Sequence, residues 1–406
     1  MRLDFFLILM VYLTGLSSDV IGFFGLSSPR KVFENPTVAH YINGSFVPQM
    51  DTMLPSFDDG YLCHALDLTG RQRKLCTKED GYPEVLMESL VVATRACQEE
   101  FIDEKWNCPL DFTRRNLLKQ ATKESAFLHA ISAAGLLHTT AKACSSGRLE
   151  QCSCEFNHIP HERDSPKPNW AWGGCGDNLR AGRKLTEPFL RAAPVKMSQT
   201  TRHFAEHNTK FGMKAVQRAS ELRYRCHGVS GSCALKTFYR VLPPFQVVQK
   251  KLHEDYDHAK AKPAASLQKP SSSKATSAGS GLRSYVGLPT LRLITTDQRF
   301  LKSRTPRRPV LDMNLWYQKG TRVDFCRRSK HSHGTSGRAC VVGAPWRRKT
   351  QEKDHRSHGV CDSLCCGTNR HVARYEDISR RCNCSYVAFN VSCAECRERE
   401  MRYYCL

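Results

Sequence analysis

Beyond its first two dozen residues the sequence has no apolar run of about 18 residues, so no bilayer-spanning helix is expected. The mature protein is expected to be soluble or peripherally attached. Acidic side chains are scarce: 39 Asp and Glu stand against 61 Lys and Arg, a formal net charge of +22. That balance implies an anionic partner, whether nucleic acid, acidic polysaccharide or anionic lipid. The Gly-X-Ser-X-Gly elbow of serine hydrolases is also lacking, because Ser232 stands where Ser230 would need its second glycine. With no evident third triad member, Ser230 and His227 are not read as a hydrolytic pair, and no enzyme activity is expected.

What is present begins with an export signal. Arg2 precedes an apolar run from Phe5 to Leu16, followed by small residues around Gly15 to Ser18, so residues 1–22 read as a cleaved signal peptide. The 20 cysteines agree with export, since an even count clustered toward the C-terminus describes an oxidised framework. Zinc is the competing reading, given the close spacing of Cys382 with Cys384 and of Cys393 with Cys396. An exported chain does not meet nucleic acid. Three Asn-X-Ser patterns occur, at Asn43, Asn383 and Asn390; Asn383 lies between cysteines, leaving Asn43 and Asn390 as glycosylation candidates.

The chain is long enough for two packed domains. Residues 23–60 are irregular. Leu86, Leu90, Ala93 and Cys97 recur at helical steps after Glu84. A second helical region is expected from about Arg114 to Ala143. A third, from about Thr201 to Leu222, carries Phe204, Phe211, Val216 and Leu222 as a core stripe. Residues 61–257 form this helical N-terminal domain. From about His258 to Arg283 Lys, Ala, Pro, Ser and Gly dominate, so 258–310 reads as a flexible linker or insert. Residues 311–406 form a cysteine-rich C-terminal domain: Cys326 to Cys405 holds ten of the 20 cysteines in 80 residues without helical periodicity, which predicts crosslinked hairpins. The fold class is α+β.

The segment Cys226-His-Gly-Val-Ser-Gly-Ser-Cys233 describes a tight hairpin loop closed by one disulfide. Gly228 and Gly231 permit positive φ, so the loop can present Ser230 at its tip. Around it, in order, lie Trp106-Asn-Cys108, Lys123-Glu-Ser-Ala-Phe127, Cys152-Ser-Cys154, Trp172-Gly-Gly-Cys175, Lys236-Thr237, Cys365-Cys366 and Cys405. These landmarks strongly resemble the Wnt family of secreted signalling proteins, from about Cys63 to Leu406 with the linker excluded.

The resemblance implies a lipid-modified ligand. Ser230 would carry an O-palmitoleoyl group, added by a membrane-bound acyltransferase, in a receptor-binding loop formed with His227, Gly228, Val229 and Gly231. The acyl chain would enter a groove on the Frizzled cysteine-rich domain and activate Wnt signalling in development, cell fate or polarity. No dissociable cofactor and no metal are expected. An LDL-receptor-related co-receptor and a secretion carrier complete the implied partners, and secretion into the extracellular space or matrix is the implied location; the +22 charge adds heparan sulfate as an accessory partner. Each buried CH₂ contributes about 0.8 kcal/mol, so such a chain supplies on the order of 10 kcal/mol before ordering costs. The implied disulfide pairs are Cys63–Cys76, Cys97–Cys108, Cys144–Cys152, Cys154–Cys175, Cys226–Cys233, Cys326–Cys366, Cys340–Cys361, Cys365–Cys405, Cys382–Cys396 and Cys384–Cys393.

The sequence departs from the family twice. Tyr224 and Phe238 stand where the outer bridge of the lipid-bearing hairpin is usual, and Tyr239 where Trp is usual. A Tyr224–Phe238 aromatic contact would replace the bridge and leave a looser hairpin base. At the second receptor contact the sequence reads Val387-Ala388-Phe389-Asn390, without the usual Trp and adjacent cysteines, so Ala388 and Phe389 mark a weakened tip. The alternative function is an unlipidated heparin-binding cystine-rich factor or decoy ligand. Its basic clusters would be Arg307-Arg308, Arg327 to Lys330 and Arg347 to Lys349.

Overall fold

The computed structural model describes residues 62–64, 66, 68–109, 112–155, 170–172, 174–191, 197–264, 314–342, 359–367, 371–387 and 390–406. Residues 1–22, read above as a signal peptide, and residues 23–60 with Asn43 lie outside them.

The helices are α1 (Gly70–Cys76), α2 (Tyr82–Glu100), α3 (Phe112–Leu118), α4 (Lys123–Ser145), α5 (Leu179–Arg191), α6 (Gln199–Ala219), α7 (Phe245–Asp257) and the single turn α8 (Cys361–Leu364). The strands are β1 (Trp170–Trp172), β2 (Glu221–Cys226), β3 (Lys236–Val241), β4 (Lys260–Lys262), β5 (Trp316–Gln318), β6 (Ala339–Cys340), β7 (His371–Val387) and β8 (Asn390–Cys405).

Helix α4 is the axis of the N-terminal part. Its sequence is rich in Ala, Leu, Ser and Thr, and 19 of its 23 residues are buried, so it is enclosed on all sides rather than along one stripe. Helices α2, α5, α6 and α7 pack around it. Hydroxyls in its middle turns are satisfied within the helix: Ser132 donates to Leu128 O (2.5 Å) and Thr140 to Leu136 O (2.7 Å). The closest approach is to α6, where a Cβ on Gly212 would stand 2.0 Å from the carbonyl oxygen of Ala130.

The region expected to run as one helix from Arg114 to Ala143 is two. Thr122 has extended φ/ψ and its hydroxyl accepts from Ser125 N–H at 3.1 Å, an N-cap that starts α4 anew after the end of α3. The helix expected from Thr201 to Leu222 ends at Ala219, and Leu222 lies exposed on β2. Its apolar side chain continued the 3.6-residue period by coincidence with the strand that follows. Helices α5 and α7 were not anticipated: basic and acidic residues cover most of their turns, and only a narrow stripe reaches the core (Phe189 and Leu190; Val248 and Leu252). The stretch assigned to a linker from 258 starts with β4, which pairs in parallel with β5. Leu315 is fully buried in the helical core and Trp316 stacks on His207 at 3.6 Å, so a boundary at 311 cuts through packed structure.

Two buried histidines on α4 set the pH response. His138 Nε2 lies 2.8 Å from Pro243 O, and His129 has no hydrogen-bond partner among the described residues. Burial lowers both pKa values to about 4. His253 runs the other way. Held between Glu100 and Glu104 at 3.1 and 3.4 Å, it is raised to about 9 by those contacts, against a smaller opposing effect of burial. A depressed histidine contributes stability above its unfolded pKa of about 6.5, lost as pH falls toward 4, at up to about 1.4 kcal/mol per pH unit per group. The raised histidine contributes fully below about 6.5 and loses its contribution as pH rises through 9. Thermal melting should therefore peak near pH 6.5, falling toward pH 4 through the two α4 histidines and toward pH 9 through His253. His129→Leu should flatten the acid limb, and an unchanged limb in that variant contradicts the assignment.

Candidate functional site

Strands β2 and β3 form an antiparallel ribbon, with β1 added in parallel along the outer side of β3. Three contacts fasten its base. Asp177 N–H donates to Arg240 O (2.9 Å), while the Asp177 carboxylate accepts from Leu242 N–H (2.6 Å) and from the Ser145 hydroxyl at the end of α4 (2.5 Å). His138 reaches Pro243 from the same helix. Asp177 was not singled out in the sequence; an acid directly after the Gly-Gly-Cys-Gly run was the available signal.

Where an outer bridge would stand, Tyr224 and Phe238 are direct register partners, and their rings meet at 5.8 Å and 43°. Phe238 is 5% exposed and Tyr224 57%, so one ring forms the core of the ribbon and the other lids it. Lys236 Nζ sits 5.0 Å over the Tyr224 ring. Tyr239 packs its ring on Gly174, whose φ of 111° and missing Cβ leave space for it.

At the far end Cys226 and Cys233 are bridged. His227 N–H donates to Leu235 O and Gly228 N–H to Ser232 O at 2.7 Å; Ser232 N–H then closes the tip turn onto Val229 O at 3.1 Å. The two central residues of that turn, Ser230 and Gly231, have φ of 57° and 78°. The expectation that Gly228 supplies positive φ is corrected: its φ is −75°. Its glycine is required by space, since a Cβ there would stand 2.0 Å from Ser232 Oγ and 2.4 Å from Ser232 O. The strained residue is Ser230 itself. A non-glycine residue at positive φ costs about 1–2 kcal/mol and is held there by its surroundings.

The result is a rigid loop that turns one hydroxyl outward. Ser230 is exposed, and its hydroxyl has no hydrogen-bond partner among the described residues. Val229 beside it is 90% exposed. His227 Nε2 lies 2.7 Å from the Thr237 hydroxyl and is spent on the ribbon. The site can act as an acyl acceptor; it assembles no nucleophile–base pair. A misplacement of about 1 Å can cost about a hundredfold in rate. Gly228→Ala should therefore lower fatty-acid labelling at Ser230 at least about tenfold, and labelling at the wild-type level would show that the loop tolerates the clash.

The second predicted contact rides on the long ribbon of β7 and β8, which pair from His371–Cys405 outward with a register shift between Cys382 and Ser385. Cys382–Cys396 and Cys384–Cys393 crosslink it. Ala388 and Phe389, between the two strands in sequence, lie outside the described residues, as does the side chain of Asn390. The remaining bridges are Cys63–Cys76, Cys97–Cys108, Cys144–Cys152, Cys154–Cys175, Cys326–Cys366, Cys340–Cys361 and Cys365–Cys405. All 20 cysteines are paired, so none of them is a free thiol. Cys340, Cys365 and Cys405, whose sulfurs cluster, belong to two adjoining disulfides. Among the described residues no helix is long and apolar enough to cross a membrane.

Comparison with known proteins agrees across nearly the whole described chain. The family model described as wnt family matches residues 64–406. Protein Wnt-9a of Gallus gallus is 35% identical over 347 residues, covering 85% of this chain and 86% of that protein. Protein Wnt-9b of Homo sapiens is 34% identical over 344 residues, covering 84% of each. Among solved structures, human WLS in complex with WNT8A gives a TM-score of 0.51 at 25% identity, covering 80% of this chain and 94% of the matched one.

Proposed function

This chain belongs to the Wnt family, and from that premise we propose that it is a secreted ligand whose Ser230 carries a palmitoleoyl ester that docks into the Frizzled cysteine-rich domain. The observation that carries this reading is the loop tip: an exposed serine, strained into positive φ and free of hydrogen bonds among the described residues, held out by a disulfide and a fastened ribbon. A hydroxyl so placed is accessible to a membrane acyltransferase, and an acyl chain attached there leaves the protein surface without refolding anything beneath it. Burying that chain contributes on the order of 10 kcal/mol before ordering costs, more than any side chain on this loop can supply.

The same chain has to be shielded from water in transit, so a carrier is required between acylation and receptor. The structural neighbour, a Wnt protein bound to human WLS, supports a carrier of that kind. An LDL-receptor-related co-receptor would complete the signalling complex, and the +22 charge supports retention by heparan sulfate near the source. The protein performs no catalytic step. Metabolic labelling with an alkynyl fatty acid tests the reading: the secreted wild type should take up label and Ser230→Ala should not. Equal labelling of both would move the ester elsewhere.

A further inference from the structure

The structure brings together cations that neither the core nor the acylated loop uses. Residues 326–335 form a short tongue pinned at its root by Cys326–Cys366. Within it Ser329 N–H donates to Ser332 O at 2.7 Å, so Lys330 and His331 form the tip of a tight reversal, and Ser332 Oγ donates to Phe325 O behind it. The tongue is docked on α3, more than 200 residues earlier in the chain. Asn116 Nδ2 donates to Lys330 O at 3.0 Å, and Gln120 Nε2 lies 3.1 Å from His331 Nε2.

This docking aligns two sets of charge. Arg115 on α3 and Lys119, the first residue past its end, are both exposed. Arg327, Arg328 and Lys330 are exposed on the tongue. None of the five forms an ion pair among the described residues, and the neighbouring Asp324 is turned to the backbone N–H of Cys326. Two of them, one from each set, act on the same group: the pKa of His331 is lowered first by burial and then by Lys330 and Lys119. Five unpaired cations held on two elements cost stability through mutual repulsion, which an anionic partner relieves.

We propose that Arg115, Lys119, Arg327, Arg328 and Lys330 form a binding site for a sulfated polysaccharide, which deepens and rests on the heparan sulfate reading above. A polysaccharide fits better than a membrane surface. An interfacial membrane site combines basic residues with exposed apolar or aromatic side chains, and no large exposed hydrophobic residue lies within 113–120 or 326–335. The tongue meets Gln120 beside the start of α4, whereas the acylated ribbon is fastened through Asp177 to Ser145 at the other end of that helix, so matrix retention and receptor engagement use separate surfaces.

The test is binding of the full secreted protein to a defined heparin oligosaccharide across a salt series. Wild type should bind with an affinity that falls steeply with salt. Replacing Arg115, Lys119, Arg328 and Lys330 together with Ala should lower affinity at least about tenfold at physiological salt and shrink the log–log salt slope by about one for each cation contacted. Removing the same number of charges on α1 and α5 (Arg71, Lys74, Arg180 and Lys184 to Ala) should change affinity less than about threefold. Lys119→Arg with Lys330→Arg should retain binding, which separates lost charge from lost folding. If wild type does not bind heparin, the heparan sulfate reading fails; if it binds and both four-residue variants lose affinity equally, the site assignment fails. Loss confined to phosphatidylserine vesicles, with heparin binding intact, would assign the patch to membranes and also overturn the proposal.

Discussion

Ser230→Ala should weaken binding to a Frizzled cysteine-rich domain at least about a thousandfold while leaving secretion-competent folding intact. The size follows from what the substitution removes. An acyl chain gives on the order of 10 kcal/mol gross; even if ordering costs consume half of it, the remainder exceeds the ~4 kcal/mol that corresponds to a thousandfold change. The protein loses almost nothing in exchange. Ser230 is exposed and its hydroxyl has no partner among the described residues, and Ala at φ 57° meets the same backbone strain as Ser. Biolayer interferometry with the purified receptor domain measures the loss directly. A drop under tenfold would mean that protein contacts carry the interaction.

Gly212→Ala should prevent the protein from reaching the medium, at a stability cost of about 3 kcal/mol or more. Helix propensity alone predicts the opposite sign, since Ala is favoured over Gly by about 1 kcal/mol inside a helix. Packing decides here. The added Cβ would stand 2.0 Å from Ala130 O and 2.7 Å from Ala130 Cα, and both belong to the backbone of α4, which other helices hold on every side. A flexible side chain could swing away from such a clash; a helix backbone must move bodily. Trimming Ala130 to Gly should give no rescue, because the obstacle is its carbonyl. Secreted yield and melting temperature check this, and wild-type values for both would show that α6 can slide on α4.

Much of this architecture was legible in the residues. The stripe Leu86, Leu90, Ala93 and Cys97 lies buried on α2 as its spacing implied, and a loop between Cys226 and Cys233 bearing Ser230 followed from glycines, serines and a seven-residue step. Which cysteine meets which was not legible from spacing: 20 cysteines admit a very large number of pairings, and only the family resemblance narrowed them. The failures have physical causes. Helix ends at Ala219 and at the α3–α4 break are decided by caps and by a following strand, which hydrophobic period does not register. Gly228 was assigned a conformational role because sequence shows only that a glycine is present; the contact with Ser232 that requires it exists only in three dimensions. The anchors at Asp177 and His138, and the docking of Lys330 and His331 on α3, join residues far apart in the chain and leave no local pattern.

The substitution of Tyr224 and Phe238 for a bridge places weight on packing. The ring pair contributes about 0.5–1.5 kcal/mol, less than the ~3 kcal/mol nominal for a disulfide closing a loop of about 15 residues, and the inner bridge is left to hold the tip.

The account stands or falls on the covalent state of one oxygen. Mass spectrometry of the Cys226–Cys233 peptide from receptor-active, secreted protein reads it without inference. A mono-unsaturated fatty acyl ester located on Ser230 is the predicted result; an unmodified Ser230 in material that still binds the receptor domain at full affinity would contradict it.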